Sequence, residues 1–242
     1  MGGWGVLMMH KNEYDSEIDL RDELKIILNK DSIWTSGPYV IEELAYSVGG
    51  DENSPSIEVF VDGTGPKITY VCNQIVSQEG VFLGILMGKK SLGKDIVREM
   101  NRIGKLIGSN YFKLGYRGFL DIDFIVSKNR TLYPIETNVR RTGGTHVYDL
   151  ARKLFGRDWV KNAVALSTDS FNYGKIVLSA EEIINKISSL TFPIKGEEEG
   201  VVVVAVDSHE PYFSFIIFAP TKSEVLKIHD KLTSIWDNDT LK

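Results

Sequence analysis

Residues 118–146 read GFLDIDFIVSKNRTLYPIETNVRRTGGTH, and the reading of this stretch decides the fold. Leu120, Ile122, Phe124 and Val126 alternate with Asp121, Asp123 and Ile125, the pattern of a strand with one buried face. Asp121 and Asp123 therefore project from the same side. Ser127-Lys128-Asn129-Arg130 is polar enough to turn the chain, and Thr131 to Asn138 has the Tyr, Ile and Thr content of a second strand. Glu136 and Asn138 share a face of it by the same period of two. In a hairpin, directly opposed Cβ atoms lie roughly 4.5–5.5 Å apart, so two carboxylates and an amide oxygen would converge on one point.

Such a set suits a hard cation. Magnesium takes oxygen ligands, uses few protein carboxylates and completes its shell with phosphate and water. Arg140 and Arg141 follow at once, and a guanidinium is a planar, bidentate donor for phosphate or carboxylate. Thr142-Gly143-Gly144-Thr145 then offers backbone without Cβ obstruction, as a close approach to a ligand requires. The same spacing also describes a hairpin with a solvated acidic face and a glycine turn, and periodicity alone leaves both readings open.

The runs DIDFIV and PIETNVRRTGGTH resemble the metal-binding end of the ATP-grasp superfamily, whose pattern is a strand Asp followed by E-x-N-x-R and a Gly-rich turn. The similarity is to members that join a carboxylate to an amine through an acyl phosphate. It implies Asp123, Glu136 and Asn138 as ligands of Mg2+, with Mn2+ as a substitute, and Arg140 as the catalytic group facing the transferred phosphate. Arg141, Thr142, Gly143 and Gly144 would border the substrate. Asp121 has no fixed counterpart in the pattern.

Composition narrows the remaining classes. The chain has 242 residues, a net charge of −5 and 43% hydrophobic residues, enough for one or two units with a core. It carries no basic stripe, so nucleic acid is not an expected partner. Cys72 is the only cysteine, which excludes an intrachain disulfide and fits a reducing, cytoplasmic compartment. No apolar run approaches the ~20 residues that span a bilayer, and no membrane partner is expected. His10, His146, His209 and His229 lack the paired spacing of a zinc site.

Before the hairpin, MGGWGV opens the chain with glycines. In ATP-grasp proteins such a loop covers the triphosphate, which implies Gly2, Gly3 and Gly5 as ATP contacts. The strand and lysine that precede it in the family have no counterpart here, so the resemblance implies a chain lacking its N-terminal lobe. Ser16 to Leu28 predicts a helix with Leu20, Leu24 and Ile27 on one stripe. Tyr39 to Leu44 predicts a strand; by resemblance it runs into the adenine hinge, with Glu42, Glu43, Leu44 and Ala45 reading the base. Without the family, two glutamates at a strand end are solvated. Ser56 to Asp62 and Lys67 to Asn73 predict a hairpin across Asp62–Pro66, and the resemblance points to Ser56 or Glu58 for the sugar of ATP. Gln74 is a candidate cleft residue.

GILMGKKS, residues 84–91, fails as a P-loop because its spacing is wrong. Lys94 to Ile107 predicts an amphipathic helix stopped at Gly108, packed under the hairpin. Val147 to Phe155 predicts another. Ser179-x-x-Glu182 and Thr221-x-x-Glu224 predict helix starts, the latter with Val225, Leu226 and Ile228 inside, around a buried strand from Val201 to Val206 and a second from Tyr212 to Ala219.

The expected class is α+β, with antiparallel sheets and packed helices. Three parts are expected: 1–46, a partial nucleotide-binding subdomain; 47–170, the catalytic, metal-binding subdomain; and 171–242, a small C-terminal α/β subdomain. By resemblance the function is an ATP-dependent ligase joining a small-molecule carboxylate to an amine, an amino acid or peptide. The alternatives are an ATP-grasp remnant that binds nucleotide weakly and needs a partner chain or a homo-oligomer, and a metal-dependent hydrolase using the same carboxylates.

Overall fold

The alternation that marks residues 118–138 produces the expected hairpin. In a computed structural model, which describes residues 7, 9, 15–30, 34, 38–43, 54–77 and 81–237, β4 (Gly118–Val126) pairs antiparallel with β5 (Leu132–Asn138). The chain divides into two units, Met1–Tyr46 and Ser47–Lys242.

In the first unit, α1 (Glu17–Lys30) begins where the Ser16 hydroxyl accepts from the Asp19 N–H at 3.2 Å, an N-cap. Leu20, Leu24 and Ile27 are half-buried along one stripe. The strand expected from Tyr39 to Leu44 is not formed over its described part: residues 38–43 have no regular structure, and Tyr39, Val40, Ile41, Glu42 and Glu43 are exposed. An apolar run becomes a strand only when another strand satisfies its backbone groups, and these residues have no such ladder. Gly2, Gly3, Gly5, Leu44 and Ala45 lie outside the described residues.

The second unit is built on one eight-stranded sheet, in the order β5-β4-β1-β2-β3-β6-β8-β7. Its other strands are β1 (Pro55–Asp62), β2 (Gly65–Val76), β3 (Phe82–Gly88), β6 (Val164–Asn172), β7 (Gly200–Val206) and β8 (Tyr212–Ala219). All seven neighbouring pairs are antiparallel. In β1–β2, β2–β3, β4–β5 and β7–β8 this follows from short connections between consecutive strands, which hairpins allow and parallel crossovers do not; β1–β4, β3–β6 and β6–β8 pair strands that are not consecutive in the chain.

On one face, α2 (Lys94–Lys113) packs Ile96, Met100 and Ile103 against Ile57, Val59, Leu120, Ile122 and Phe124. The helix runs through Gly108 rather than ending there. A Cβ at Gly108 would lie 2.7 Å from Pro66 Cβ and 3.0 Å from Val59 Cγ1, so this glycine sets how closely the helix approaches β1 and β2. Towards the other end of the sheet, α4 (Ala180–Lys186) and α5 (Lys222–Asp237) bury Ile183, Val225, Ile228 and Leu232 against Leu166, Phe213, Phe215 and Ile217. The predicted capping box of α4 is present, with Ser179 and Glu182 each satisfying the other's backbone N–H.

The opposite face is covered by α3 (Thr145–Phe155), which buries Val147 and Ala151 with Trp159 against Tyr70, Cys72, Ile85, Met87 and Phe218. Two expectations for the tail are corrected. Val201–Val206 is not an internal strand: β7 lies at the sheet edge, and only Gly200 and Val201 are buried. Leu226 faces solvent, because the buried stripe of α5 takes Val225, Ile228 and Leu232 instead. The boundary expected at residues 170 and 171 falls within β6, which joins β3 to β8 in the continuous sheet. Among the described residues, no helix is long and apolar enough to cross a membrane.

Candidate functional site

Register places the acidic residues. Asp123 is directly opposite Glu136 and Asp121 opposite Asn138 across β4 and β5. On the other side of β4, Ser56 is opposite Asp123 and Glu58 opposite Asp121. These six residues form a polar patch on the face that carries α3, while Ile57, Val59, Leu120 and Ile122 of the same strands enter the apolar core behind. Strand alternation thus puts charge and core within one residue of each other.

The patch divides into an outer and an inner part. Outside, Glu136 is exposed and Asp123 half-buried. Asp123 accepts from Asn138 Nδ2 at 3.0 Å and from Gln74 Nε2 of β2. Burial, then the charges of Asp121 and Glu136, raise its carboxyl pKa to about 7. Asn138 Oδ1 accepts from Arg140 Nη2 at 3.2 Å. As placed, Asn138 turns its NH2 toward Asp123, so ligating a cation beside that carboxylate requires the amide to rotate end for end.

Inside, Ser56, Glu58 and Asp121 are 1%, 0% and 4% exposed. The Ser56 hydroxyl donates to Asp121 at 2.6 Å, so it is committed to a carboxylate and sealed from solvent rather than open to a sugar. Asp121 also accepts from the Thr142 hydroxyl at 2.8 Å, and Glu58 accepts from the Thr145 hydroxyl. Burial raises the carboxyl pKa of both Glu58 and Asp121. The second Glu58 oxygen, Oε1, is buried with no hydrogen-bond partner among the described residues.

The two arginines differ. Arg141 lies over the Phe119 ring at 4.3 Å and pairs with Asp149 at 3.5 Å. Arg140 makes no ion pair among the described residues; its guanidinium reaches only Asn138 Oδ1 and the Arg141 carbonyl. Both are exposed. Arg140 is therefore the guanidinium free to take an anion, and Arg141 is held in place by stacking and pairing.

The glycine turn packs on aromatic rings. A Cβ at Gly144 would meet the Tyr70 hydroxyl at 2.5 Å, and one at Gly143 would lie 3.1 Å from Phe82 Cζ. Gly144 is buried, so its missing side chain serves contact with Tyr70, whereas Gly143 is exposed on its other side. His146 is exposed at the start of α3.

The donor set fits a small divalent cation in chemistry. Among the described residues no group of three His, Cys, Asp or Glu is arranged to hold a metal, so a cation here would rest on Asp123, Glu136 and Asn138 and take the rest of its shell from phosphate and water. A carboxyl whose pKa is raised by burial and by neighbouring carboxylates, as that of Asp123 is, is also what a cation relieves. Glu42 and Glu43 belong to the first unit and lie in a described segment, 38–43, without regular structure. Gln74, expected in the cleft, and Glu58, to which the resemblance pointed, both enter the patch; Tyr70 enters it without a motif to announce it, marked only by the face it shares with Gln74 on β2.

No protein-family model matches the chain. Over 118 residues it is 26% identical to L-propargylglycine–L-glutamate ligase of Streptantibioticus cattleyicolor, a match covering 48% of this chain and 23% of that protein. Among solved structures, the ADP complex of N5-carboxyaminoimidazole ribonucleotide synthetase covers 93% of the chain at a TM-score of 0.55 and 11% identity, over 57% of its own length. The biotin carboxylase domain of a single-chain bacterial carboxylase covers 73% at 0.51 and 14% identity, over 46% of its length. The phosphoribosylaminoimidazole carboxylase ATPase subunit from Aquifex aeolicus covers 76% at 0.50 and 14% identity, over 56% of its length. The chain spans about a quarter of the curated relative and roughly half of each of these structures. Its fold is that of the ATP-grasp proteins, as the hairpin motif led us to expect.

Proposed function

We propose that this chain, with its ATP-grasp fold, is the catalytic part of an ATP- and magnesium-dependent ligase that joins a small-molecule carboxylate to an amine through an acyl phosphate. One observation carries the reading: Asp123 and Glu136 are paired across two strands, with Asn138 and the unpaired Arg140 beside them. The ligase relative, named for joining L-propargylglycine to L-glutamate, supports the amide-forming branch.

In the proposed reaction a carboxylate oxygen attacks the γ-phosphorus of ATP, and the bond from that phosphorus to the β–γ bridging oxygen breaks, releasing ADP. The amine nitrogen then attacks the acyl carbon; the carbon–oxygen bond to phosphate breaks, phosphate leaves, and the nitrogen loses a proton. Phosphoryl transfer of this kind is mostly positioning and charge neutralisation. Bound magnesium would neutralise phosphate oxygens, held by Asp123, Glu136 and Asn138. Arg140 would take an oxygen of the transferred phosphate as a charge-assisted donor. Arg141, stacked on Phe119, would fix the start of the glycine turn, and Thr142 to Gly144 would line the acceptor side.

The test is ATP-dependent phosphate release by the purified chain with Mg2+ and mixtures of amino acids, with hydroxylamine to trap an acyl phosphate as hydroxamate. Glu136→Gln and Arg140→Ala are each expected to lower turnover on the order of 100-fold or more, as loss of a charge-stabilising group does. Phosphate release equal in Glu136→Gln and the unaltered chain would overturn the reading, as would product formed without ATP.

A further inference from the structure

Glu58 and Asp121 stand side by side across β1 and β4, both sealed from solvent and neither in an ion pair among the described residues. Two adjacent buried carboxylates are a poor way to stabilise a sheet, since apolar residues of similar size would serve at least as well. What they share is a target. Asp121 receives the hydroxyl of Thr142 and Glu58 that of Thr145, the first and last residues of the TGGT turn.

The Thr145 hydroxyl is used twice. It donates to Glu58 while accepting the backbone N–H of Thr142 at 3.2 Å, so a relay runs from the Thr142 amide through Thr145 to a buried carboxylate. Chains of this kind polarise and strengthen one another in a low dielectric. Thr142 is thus held by its hydroxyl to one acid and by its amide, indirectly, to the other. Tyr70 closes the arrangement from below: its ring blocks any side chain at Gly144, and its hydroxyl lies 3.3 Å from that of Thr142. The Arg140 guanidinium in turn donates to the Arg141 carbonyl at 3.2 Å, on the residue next to Thr142. Where the turn sits therefore decides where this free guanidinium sits.

We propose that Glu58 and Asp121 are positioning residues, holding the Thr142–Thr145 turn and through it the Arg140 guanidinium beside the Asp123–Glu136 pair. Their role in turnover rests on the ligase reading; their hold on the turn does not.

Two variants loosen the turn from below without touching it: Glu58→Met, close in volume and adaptable in packing, cuts the relay, and Asp121→Leu removes the acceptor of the Thr142 hydroxyl. Glu58→Gln keeps an acceptor oxygen for Thr145. Backbone hydrogen exchange by NMR is read at Thr142, Gly143 and Gly144, and kcat and KM for ATP are read in parallel. Loss of a hydrogen bond to a charged group is expected to speed exchange at Thr142 about tenfold or more in Glu58→Met, while Glu58→Gln stays within about threefold of the unaltered chain. kcat is expected to fall about 10- to 100-fold in Glu58→Met and Asp121→Leu, as misplacement of a charged group does, with KM for ATP changed far less. Glu58→Met combined with Thr145→Val is expected to be no slower than either alone, because both cut the same relay.

Unchanged exchange at Thr142 in both Glu58→Met and Asp121→Leu overturns the proposal, as does multiplication of the Glu58 and Thr145 effects on kcat. If either variant fails to fold, the other decides. If the unaltered chain shows no ATP-dependent turnover, the ligase reading fails and the exchange arm alone upholds or overturns the hold on the turn.

Discussion

The two ends of the sheet use one architecture for opposite purposes. Around β6, β7 and β8 the buried residues are almost all apolar: Phe213, Phe215, Tyr173 and Trp236 stack with ring centroids 5.1–6.0 Å apart under α4 and α5. Around β1, β4 and β5 one face is equally apolar, but the other buries Ser56, Glu58 and Asp121 and half-buries Asp123. Burying carboxylates disfavours the folded state unless each finds partners, and Glu58 Oε1 has none among the described residues. The aromatic end therefore holds the unit together, and the hairpin end gives up stability for a placed set of charges. Where a fold accepts such a loss, a site is the physical reason to look for.

The largest effect that bears on this contrast is expected at Phe215, fully buried and in contact with Phe171 and Phe213. Phe215→Ala should destabilise the chain by about 3–5 kcal/mol, the sum of lost burial and a cavity. Urea unfolding would show it as a lower midpoint with an unchanged slope. Any stabilisation by Mg2+ should survive the change, because that linkage belongs to the other end. If Phe215→Ala removed the Mg2+ response without unfolding the chain, the two ends would not be the separate devices described here.

A smaller effect is expected at Gly144. An added Cβ meets the Tyr70 hydroxyl at 2.5 Å and its Cζ at 2.7 Å, and a buried ring has little room to withdraw. Gly144→Ala should cost about 1–3 kcal/mol by overpacking. Gly63→Ala, in the β1–β2 turn with nothing within 4 Å of the new atom, is the control and should change little. The double variant Gly144→Ala with Tyr70→Phe tests the cause: removing the hydroxyl should recover part of the loss.

How much of this was open to sequence reasoning depends on whether a residue's neighbours are local. The hairpin from Gly118 to Asn138 could be read because strand alternation and a polar turn are local facts, but its register could not: a one-residue shift between Asp123 and Phe124 is what brings Glu136 opposite Asp123. The capping box at Ser179 and the N-cap at Thr221 were legible for the same reason. Gly108 was misread because a glycine that ends a helix and a glycine that lets a helix approach a sheet look alike until Pro66 and Val59 are seen against it. β6 passed unnoticed since Val164 to Ser167, buried on both faces, has no alternation. Leu226 was placed inside because one-residue steps around a helix cannot be told apart without the sheet beneath. For the site, the alternation of β1 set Glu58 opposite Ile57 and Val59; only the packing of α3 on that face makes it a buried carboxylate. Gln74 and Tyr70 reach the patch through strand pairing alone.

The finest test of the contrast is the pH dependence of stability at Asp123. Its carboxyl, raised to about 7 by burial and by Asp121 and Glu136, keeps its proton in the folded chain while an unfolded chain has lost it. Between the ordinary carboxylate value, near 4, and about 7, the folded state binds more protons, so its stability is full at the acid end and falls as pH rises. Carboxylates shifted the other way, such as Asp95 and Glu99 with their arginine partners, change stability only below their ordinary value; Glu58 and Asp121, raised like Asp123, act in the same sense above theirs and are present in both chains being compared. His146, whose imidazole desolvation shifts down, acts in the opposite sense and cancels when two variants are subtracted.

Asp123→Asn is therefore expected to melt higher than the unaltered chain at about pH 7.5 and to match it more closely at about pH 5. A gain near 1 kcal/mol corresponds to roughly 2–4 °C for a chain of this size. Gln74 can turn its amide to meet the new side chain, which keeps the substitution from leaving an orphaned donor. Mg2+ should raise the melting temperature of the unaltered chain at the higher pH and leave Asp123→Asn nearly unmoved, since the neutral amide no longer offers the cation a charge. Equal melting of the two chains across the whole range would mean that Asp123 ionises without cost, and the hairpin end would then be as comfortable in its own fold as the aromatic end.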